Sequence, residues 1–346
     1  TNDAFKKLIS KYIGETEKNL ILADRNTAKH CLPILKELFP LSVVQHIVID
    51  AGEDQKDVTS LHHIWKKLIE HGADRDTVLI NLGGGMITDI GGFAASTFKR
   101  GIPFVNIPTS LMGMADAAIG GKTGINIGEI KNQAGSFAQA EAIIIFPGFL
   151  KSLPYEELMA GYAEMIKTAL VSDSSLFEKI TEIDPGPSRD EFIDQISHDI
   201  LPEISRIKEE ITKDDPYDMG SRQCLNFGHT IGHGIEAHSL QVDKKLSHGY
   251  AIAAGMICET FISSALGMLS DHDAQKIIGS LTKIYPHYPF QDDDINYVLK
   301  LIKHDKKNKE GNIRMALISA PGKCKYGVGC PDELIKKSLS RYIRLG

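Results

Sequence analysis

The stretch "DTVLINLGGGMITDIGGFAA", residues 76–95, decides the fold. A short apolar run ends in Gly83, Gly84 and Gly85 and passes directly into a helical pattern. Glycines at such a strand-to-helix turn let backbone N–H groups approach a pyrophosphate, whose charge the helix N-terminus favours. Thr88 stands where the third glycine of GxGxxG belongs, so the fingerprint is incomplete. A tight turn without a ligand is the competing reading. On either side, "NLILAD" (19–24), "VVQHIVID" (43–50), "PFVNIPTS" (103–110) and "AEAIIIFP" (140–147) read as further strands. Helical patterns at 26–38, 57–72 and 86–99 separate several of them, the rhythm of a parallel, doubly wound α/β sheet. Beyond residue 154 the strands give way to helical patterns at 155–182, 188–212, 222–238, 248–267, 271–284 and 292–305. An apolar run "IRMALIS" and a C-terminal helix follow. The pattern predicts an α/β domain over 1–154 and a mostly helical domain over 155–346.

With 346 residues the chain is long enough for two such cores. Its 39 basic and 45 acidic side chains give a net charge of -6, which argues against bulk nucleic-acid binding. No apolar run approaches the ~20 residues of a membrane span, and the N-terminal stretch has no apolar signal core. Five cysteines without a CxxC pair fit reduced thiols in a cytoplasm better than a disulfide framework. Cys324 and Cys330 have no histidine nearby to complete a zinc knuckle.

Several charged motifs stand out from this acidic background. "DAGEDQK" ends a strand with Glu53 and Lys56, a carboxylate that could hold a ribose and an amine near a phosphate. "ADAAIGGKTGIN" is not a P-loop, because Asp116 occupies the place of the first glycine of GxxxxGK[ST]. It leaves Asp116, Lys122 and Asn126, followed by Lys131 and Asn132, in a loop rich in small residues. Such a loop suits an anionic, hydroxylated small molecule, or is merely solvated. In "GYAEMIKTAL", Glu164 and Lys167 lie three apart on one helix face. The helix is apolar on most sides, so this pair calls for a metal or ligand rather than water.

"RQCLNFGHTIGHGIE" (222–236) spaces Arg222, Asn226, His229 and His233 by 4, 3 and 4, one polar stripe if helical. Gly228 and Gly232 cost a helix ~1 kcal/mol each unless something approaches closely. His248 begins another helix in "KLSHGYAIAAGM". Three histidines and Glu164 suit Zn²⁺, which needs only three protein ligands in a catalytic site. Four candidates for three places leave one free for other work.

In order along the chain, GGGxxxD, "KRG", DxxxGGKTGxN…KN, "GYAEMIK", RxxLNFGHTxGHxxE, HGxxxxxGM and "DKKN" resemble the 3-dehydroquinate synthase family of sugar phosphate cyclases. The resemblance runs from about residue 20 to 320 and is specific in combination. It implies a cytoplasmic homodimer, an NAD-binding domain, a helical metal domain and an active site between them. The implied reaction converts 3-deoxy-D-arabino-heptulosonate 7-phosphate to 3-dehydroquinate and phosphate in the shikimate route to aromatic amino acids, with transient oxidation by NAD beside Zn²⁺ or Co²⁺.

By the same resemblance, Glu164, His229 and His248 would hold the metal. Asp24, Asn26, Glu53 and Lys56 would line the NAD site, with Gly84, Gly85, Asp89, Thr109 and Ser110. Lys122, Lys131, Phe149, Ser152, Leu153 and Glu157 would complete it. Arg100, Asp116, Lys122, Asn132, Lys167, Lys208 and Lys306 would bind the sugar-acid phosphate, with Arg222, Asn226 and His233. Of these, Lys122, Lys167, Arg222, Asn226 and His233 would serve catalysis. Lys307 competes with Lys306 for its role. Two departures appear: Tyr250 stands where the family has Glu, and "SLQVDKKL" is a longer loop than shorter members have. The rival readings are another cyclase acting on an amino-sugar analogue or sedoheptulose 7-phosphate, and a metal-dependent alcohol or glycerol dehydrogenase. A non-enzymatic NAD-binding regulator would require a damaged ligand set, and none of the named ligands is missing.

Overall fold

Five parallel strands form from the apolar runs of the first half. They are β1 (Leu20–Asp24), β2 (Gln45–Ile49), β3 (Leu79–Gly83), β4 (Phe104–Pro108) and the two-residue β7 (Ala142–Ile143). An antiparallel hairpin of β5 (Lys122–Ile127) and β6 (Ile130–Phe137) precedes the last of them. The computed structural model describes residues 2–13, 19–38, 45–128, 130–186, 188–242, 245–304 and 313–346. It divides into two units, Thr1–Leu158 and Met159–Gly346; the change falls four residues beyond the 154 read from the sequence.

The sheet of the first unit runs β2-β1-β3-β4-β7, with every pairing parallel. β1, β3 and β4 are buried at every residue, as strands covered on both faces require. The strand order reverses between β1 and β3. In open α/β sheets that reversal leaves a crevice at the carboxyl ends of the strands, where ligands bind. Asp24 and Gly83 are the last residues of those two strands. The Gly85–Thr97 helix lies close on β3: a Cβ at Gly91 would stand 2.0 Å from Asn81 Oδ1.

The second unit is mainly helical and carries an antiparallel hairpin, β8 (Ile313–Ala320) with β9 (Lys323–Cys330). At its centre the helices His229–Gln241 and His248–Ala265 cross in backbone contact. A Cβ on Gly255 would lie 1.9 Å from the Gly228 carbonyl oxygen and 2.6 Å from the Gly232 nitrogen. What approaches the glycines of the histidine motif is therefore the neighbouring helix. The fully buried Glu259 closes the joint, accepting from Gly228 N at 2.6 Å and Ile231 N at 3.1 Å. Its carboxylate satisfies orphan amides at a helix N-terminus, where negative charge is also favoured.

The structure corrects several readings. Residues 222–238 are not one helix: Ser221–Asn226 is a tight 3-10 turn, Gly228 turns left-handed at φ 81°, and the helix begins at His229. The loop read at 115–126 divides into a wide helical turn, Gly113–Ala117, and strand β5. The run 155–182 breaks at Asp173, whose side chain caps the next helix. Only Ala142 and Ile143 of the run 140–147 pair as strand. Tyr250, at the family's Glu position, packs edge-on against Tyr285 with centroids 5.4 Å apart.

The close crossing yields a direct test. Gly255→Ala forces the two helices apart, and overpacking of this kind costs about 1–3 kcal/mol. Urea unfolding of the variant is expected to show a lowered midpoint with an unchanged slope.

Candidate active site

In the first unit, the turn after β3 places Gly84 as the cap of the Gly85–Thr97 helix, with no side chain bonding the helix amides. A Cβ on Gly84 would meet Ser110 Oγ at 3.1 Å, and one on Gly85 would meet the Ala117 Cβ at 3.0 Å. Thr109 N donates to the Gly83 carbonyl at 3.0 Å, so the ends of β3 and β4 are joined. Together these make a backbone cradle at the point where the strand order reverses. Its shape and N-terminal helix charge fit a dinucleotide pyrophosphate.

Beside the cradle, Lys56 is buried between Glu53 at 2.8 Å and Asp89 at 3.1 Å. Burial pushes the Asp89 carboxyl up to about 6 against the opposing pull of Lys56. Burial also works to lower Lys56, but the charges of Asp89 and Glu53 win and raise it. Asn126 ties the hairpin to this group, donating to Glu53 Oε1 at 3.1 Å and accepting from Asn132 N at 2.9 Å. Asn132 takes a left-handed backbone there, φ 52°. The Asp24 carboxylate caps its own helix, accepting from Asn26 N and Thr27 N.

The remaining residues of this half divide by position. Ser152 and Thr109 both bond the buried Cys31 thiol. Phe149 is core, edge-on to Phe146. Leu153 follows the Pro147–Ser152 turn, and Glu157 is exposed on the next helix. Lys122, Lys131 and Asn132 are exposed on the β5–β6 hairpin, and Asp116 is half-buried in the preceding turn. Arg100 stands apart from them. It precedes β4, shares a surface cavity with Asp74 and Asp76, and so sits at the amino ends of the strands, the opposite end from the cradle.

In the second unit, three side chains converge on one point. His229 Nε2 and His248 Nε2 each lie 3.5 Å from Glu164 Oε1. Both rings are oriented from behind, His229 Nδ1 by the Phe227 carbonyl at 3.2 Å and His248 Nδ1 by Glu236 Oε2 at 3.1 Å. The bond at each Nδ1 aims Nε2 at the common point, the arrangement of histidine metal ligands. Burial would lower His248, but its bonds to Glu164 and Glu236 outweigh that and raise it to about 9. Both Glu164 oxygens are buried; among the described residues Oε1 has no hydrogen-bond partner, while Oε2 pairs with Lys167 Nζ at 2.5 Å. Burial would raise the Glu164 carboxyl, but Lys167, then His229 and His248, hold it well below its ordinary value. His233 joins the group: its ring lies 5.3 Å from His229 and 5.7 Å from His248, and one nitrogen from each histidine fits within a 4.8 Å cluster. Buried imidazole and carboxylate in this arrangement fit a divalent transition metal.

In the same unit Lys167, Lys208 and Arg222 are all nearly inaccessible. Asp215 shapes the turn beneath Arg222, accepting from Gly220 N at 2.7 Å and Arg222 N at 3.1 Å. Asn226 ends the same turn. Lys306 and Lys307 lie outside the described residues. Sequence reading gave no role to Glu236, Glu259 or Asp215. Glu236 was findable, since it extends the histidine spacing by three residues along the same helix face.

Comparison with known proteins agrees with both halves. The family model described as 3-dehydroquinate synthase N-terminal matches residues 46–160, and 3-dehydroquinate synthase C-terminal matches 161–308. A 3-dehydroquinate synthase of Parabacteroides distasonis is 37% identical over 326 residues, covering 94% of this chain and 91% of that protein. Among solved structures, 2-epi-5-epi-valiolone synthase from Streptomyces hygroscopicus, with NAD+ and Zn2+ bound, superposes with a TM-score of 0.81 at 26% identity. The match covers 95% of this chain and 91% of that one. A 2-deoxy-scyllo-inosose synthase complexed with carbaglucose-6-phosphate, NAD+ and Co2+ gives 0.82 at 22% identity, covering 97% and 94%. With the two family models together matching residues 46–308 and a curated relative aligned along nearly its whole length, the chain belongs to the 3-dehydroquinate synthase family.

Proposed function

We propose that the chain converts 3-deoxy-D-arabino-heptulosonate 7-phosphate to 3-dehydroquinate and phosphate, the family's lyase reaction. The convergence of His229 Nε2 and His248 Nε2 on Glu164 Oε1, with Lys167 alongside, is the observation that carries this reading. An alcohol dehydrogenase working on a neutral substrate has no use for three buried cations in the unit that carries such a centre. Glu164, His229 and His248 hold Zn²⁺ or Co²⁺, and the cradle at Gly84 and Gly85 holds NAD. Bound there, the metal would supply Lewis-acid polarisation of a carbinol oxygen and NAD a reversible hydride acceptor.

This chain's own residues do the rest. Lys167, Lys208 and Arg222 neutralise the carboxylate and phosphate of the substrate, assisted by Lys122 and Asn132. Asn226 and Asp116 orient hydroxyls. His233, one turn beyond a metal ligand, moves a proton at the substrate hydroxyls. Glu236 fixes the tautomer of His248. The α/β region 1–154 carries the nucleotide and the region 155–346 the metal. We place the enzyme in the cytoplasm as a homodimer, acting in the shikimate route to aromatic amino acids.

Phosphate release from the heptulosonate phosphate is expected to require NAD while no NADH accumulates, because oxidation is reversed within each turnover. Parallel rises of phosphate and of NADH absorbance would mean a plain dehydrogenase. A second measurement separates the histidines. His229→Ala is expected to lose metal and activity together. His233→Ala keeps its metal and loses about 10²–10⁴ in rate, the scale of a removed general acid or base; a metal-free but folded His233 variant would make both histidines ligands. Third, Glu236→Gln is expected to weaken metal binding about 10–100-fold, as loss of a histidine-orienting carboxylate does elsewhere. Competition with a chelator reads this directly, and unchanged affinity would remove Glu236 from the site.

A further inference from the structure

The 3-10 turn that carries Arg222 and Asn226 also carries Cys224, and β9 packs along that turn. Cys324, the second residue of β9, reaches Cys224 from 100 residues further along the chain, its Sγ 3.9 Å from the Cys224 carbonyl oxygen. The two side chains are close enough for each thiol to shift the other's titration. They are also the two partly exposed cysteines of the chain, whereas Cys31, Cys258 and Cys330 are buried. No step of the proposed reaction uses either sulfur.

We propose that Cys224 and Cys324 form a redox modification site, a dithiol that a hydroperoxide converts to a reversible disulfide. The division of labour follows from the contact. Hydrogen bonding from Cys324 lowers the Cys224 thiol, while the same contact, followed by burial, raises Cys324. Cys224 is accordingly the attacking sulfur, since the thiolate is the nucleophile. Its thiolate displaces water from the peroxide and becomes a sulfenic acid. Cys324 then gives up its proton and attacks that sulfur, the S–O bond breaks and a second water leaves. Two thiols are oxidised and one peroxide is reduced to two waters. A small dithiol reverses the change by thiol–disulfide exchange.

The bond ties the turn to β9 through Cys224, which lies between Arg222 and Asn226. A shift of ~1 Å in substrate-positioning groups costs on the order of a hundredfold in rate. That functional consequence rests on the assignment of Arg222 and Asn226 to substrate; the disulfide does not.

The test treats the reduced full-length protein with hydrogen peroxide and then blocks free thiols. Peptide mass spectrometry and phosphate release are followed in parallel. The expected result is a cross-linked peptide pair containing Cys224 and Cys324, lighter by two hydrogens, with activity lost and then restored by dithiothreitol. Cys324→Ser, folded and active before treatment, is expected to form no cross-link and to lose no activity that dithiothreitol restores. Absence of the cross-link in the wild type overturns the proposal, and so does equal, reversible inactivation of the Cys324 variant. A reduced wild type without phosphate release would count against the proposed function alone, because the cross-link is read by mass.

Discussion

The candidate metal centre depends on one joint, the backbone contact between the helices His229–Gln241 and His248–Ala265. Glycine at 228, 232 and 255 lets the two axes approach until carbonyl and Cα are in contact. The Glu259 carboxylate then bonds the amides at the start of the first helix from within the second. His229 is the first residue of one helix and His248 the first of the other. Fixing the crossing therefore fixes both Nε2 atoms relative to Glu164. A fully buried carboxylate is costly unless bonded, and here its partners are amides that would otherwise be unsatisfied. The same interaction settles two debts of burial and aims two ligands.

The parts of the fold that could be read from sequence are those set by local pattern. β1, β3 and β4 are apolar at nearly every position because both faces are covered, and such runs announce themselves. The turn after β3 was legible through its glycines. The hairpin β5–β6 was not, since "KTGINI" and "IKNQAGSF" alternate weakly and read as a loop of small and polar residues. Its pairing is settled by packing on the Gly85–Thr97 helix, where a Cβ at Gly92 would stand 2.5 Å from Thr123 Cγ2. The break at Gly228 was hidden for the opposite reason. Arg222, Asn226, His229 and His233 have good helical spacing, yet Glu259, 31 residues away, holds Gly228 in a left-handed cap. Sequence spacing carries no signal for a partner so distant. Glu236 and Asp215 act on neighbours that only the folded chain brings close.

The charge balance has the same logic at a larger scale. An acidic chain keeps Lys56, Lys167, Lys208 and Arg222 almost wholly inside. Buried cations survive only when paired or ready to meet an anion. Lys56 is fully committed, bridged by Glu53 and Asp89 beside the glycine cradle, and helps to organise that end of the sheet. Lys167 pairs with a carboxylate that has other neighbours. Its ion pair uses Glu164 Oε2, while the other oxygen faces two imidazoles.

That sharing of Glu164 sets the order of events at the centre. A carboxylate between an ammonium and two imidazoles is already stabilised as an anion, so it needs no deprotonation to take a divalent ion. His229 is likewise held neutral, burial lowering it well below its ordinary value against the pull of Glu164. A divalent ion held at this carboxylate would draw on the charge that Glu164 offers Lys167. A buried ammonium in that position gains most by meeting a new anion. One side chain thus links the candidate metal point to a buried ammonium: the Glu164 oxygen that faces the imidazoles and the one that faces Lys167 belong to the same carboxylate.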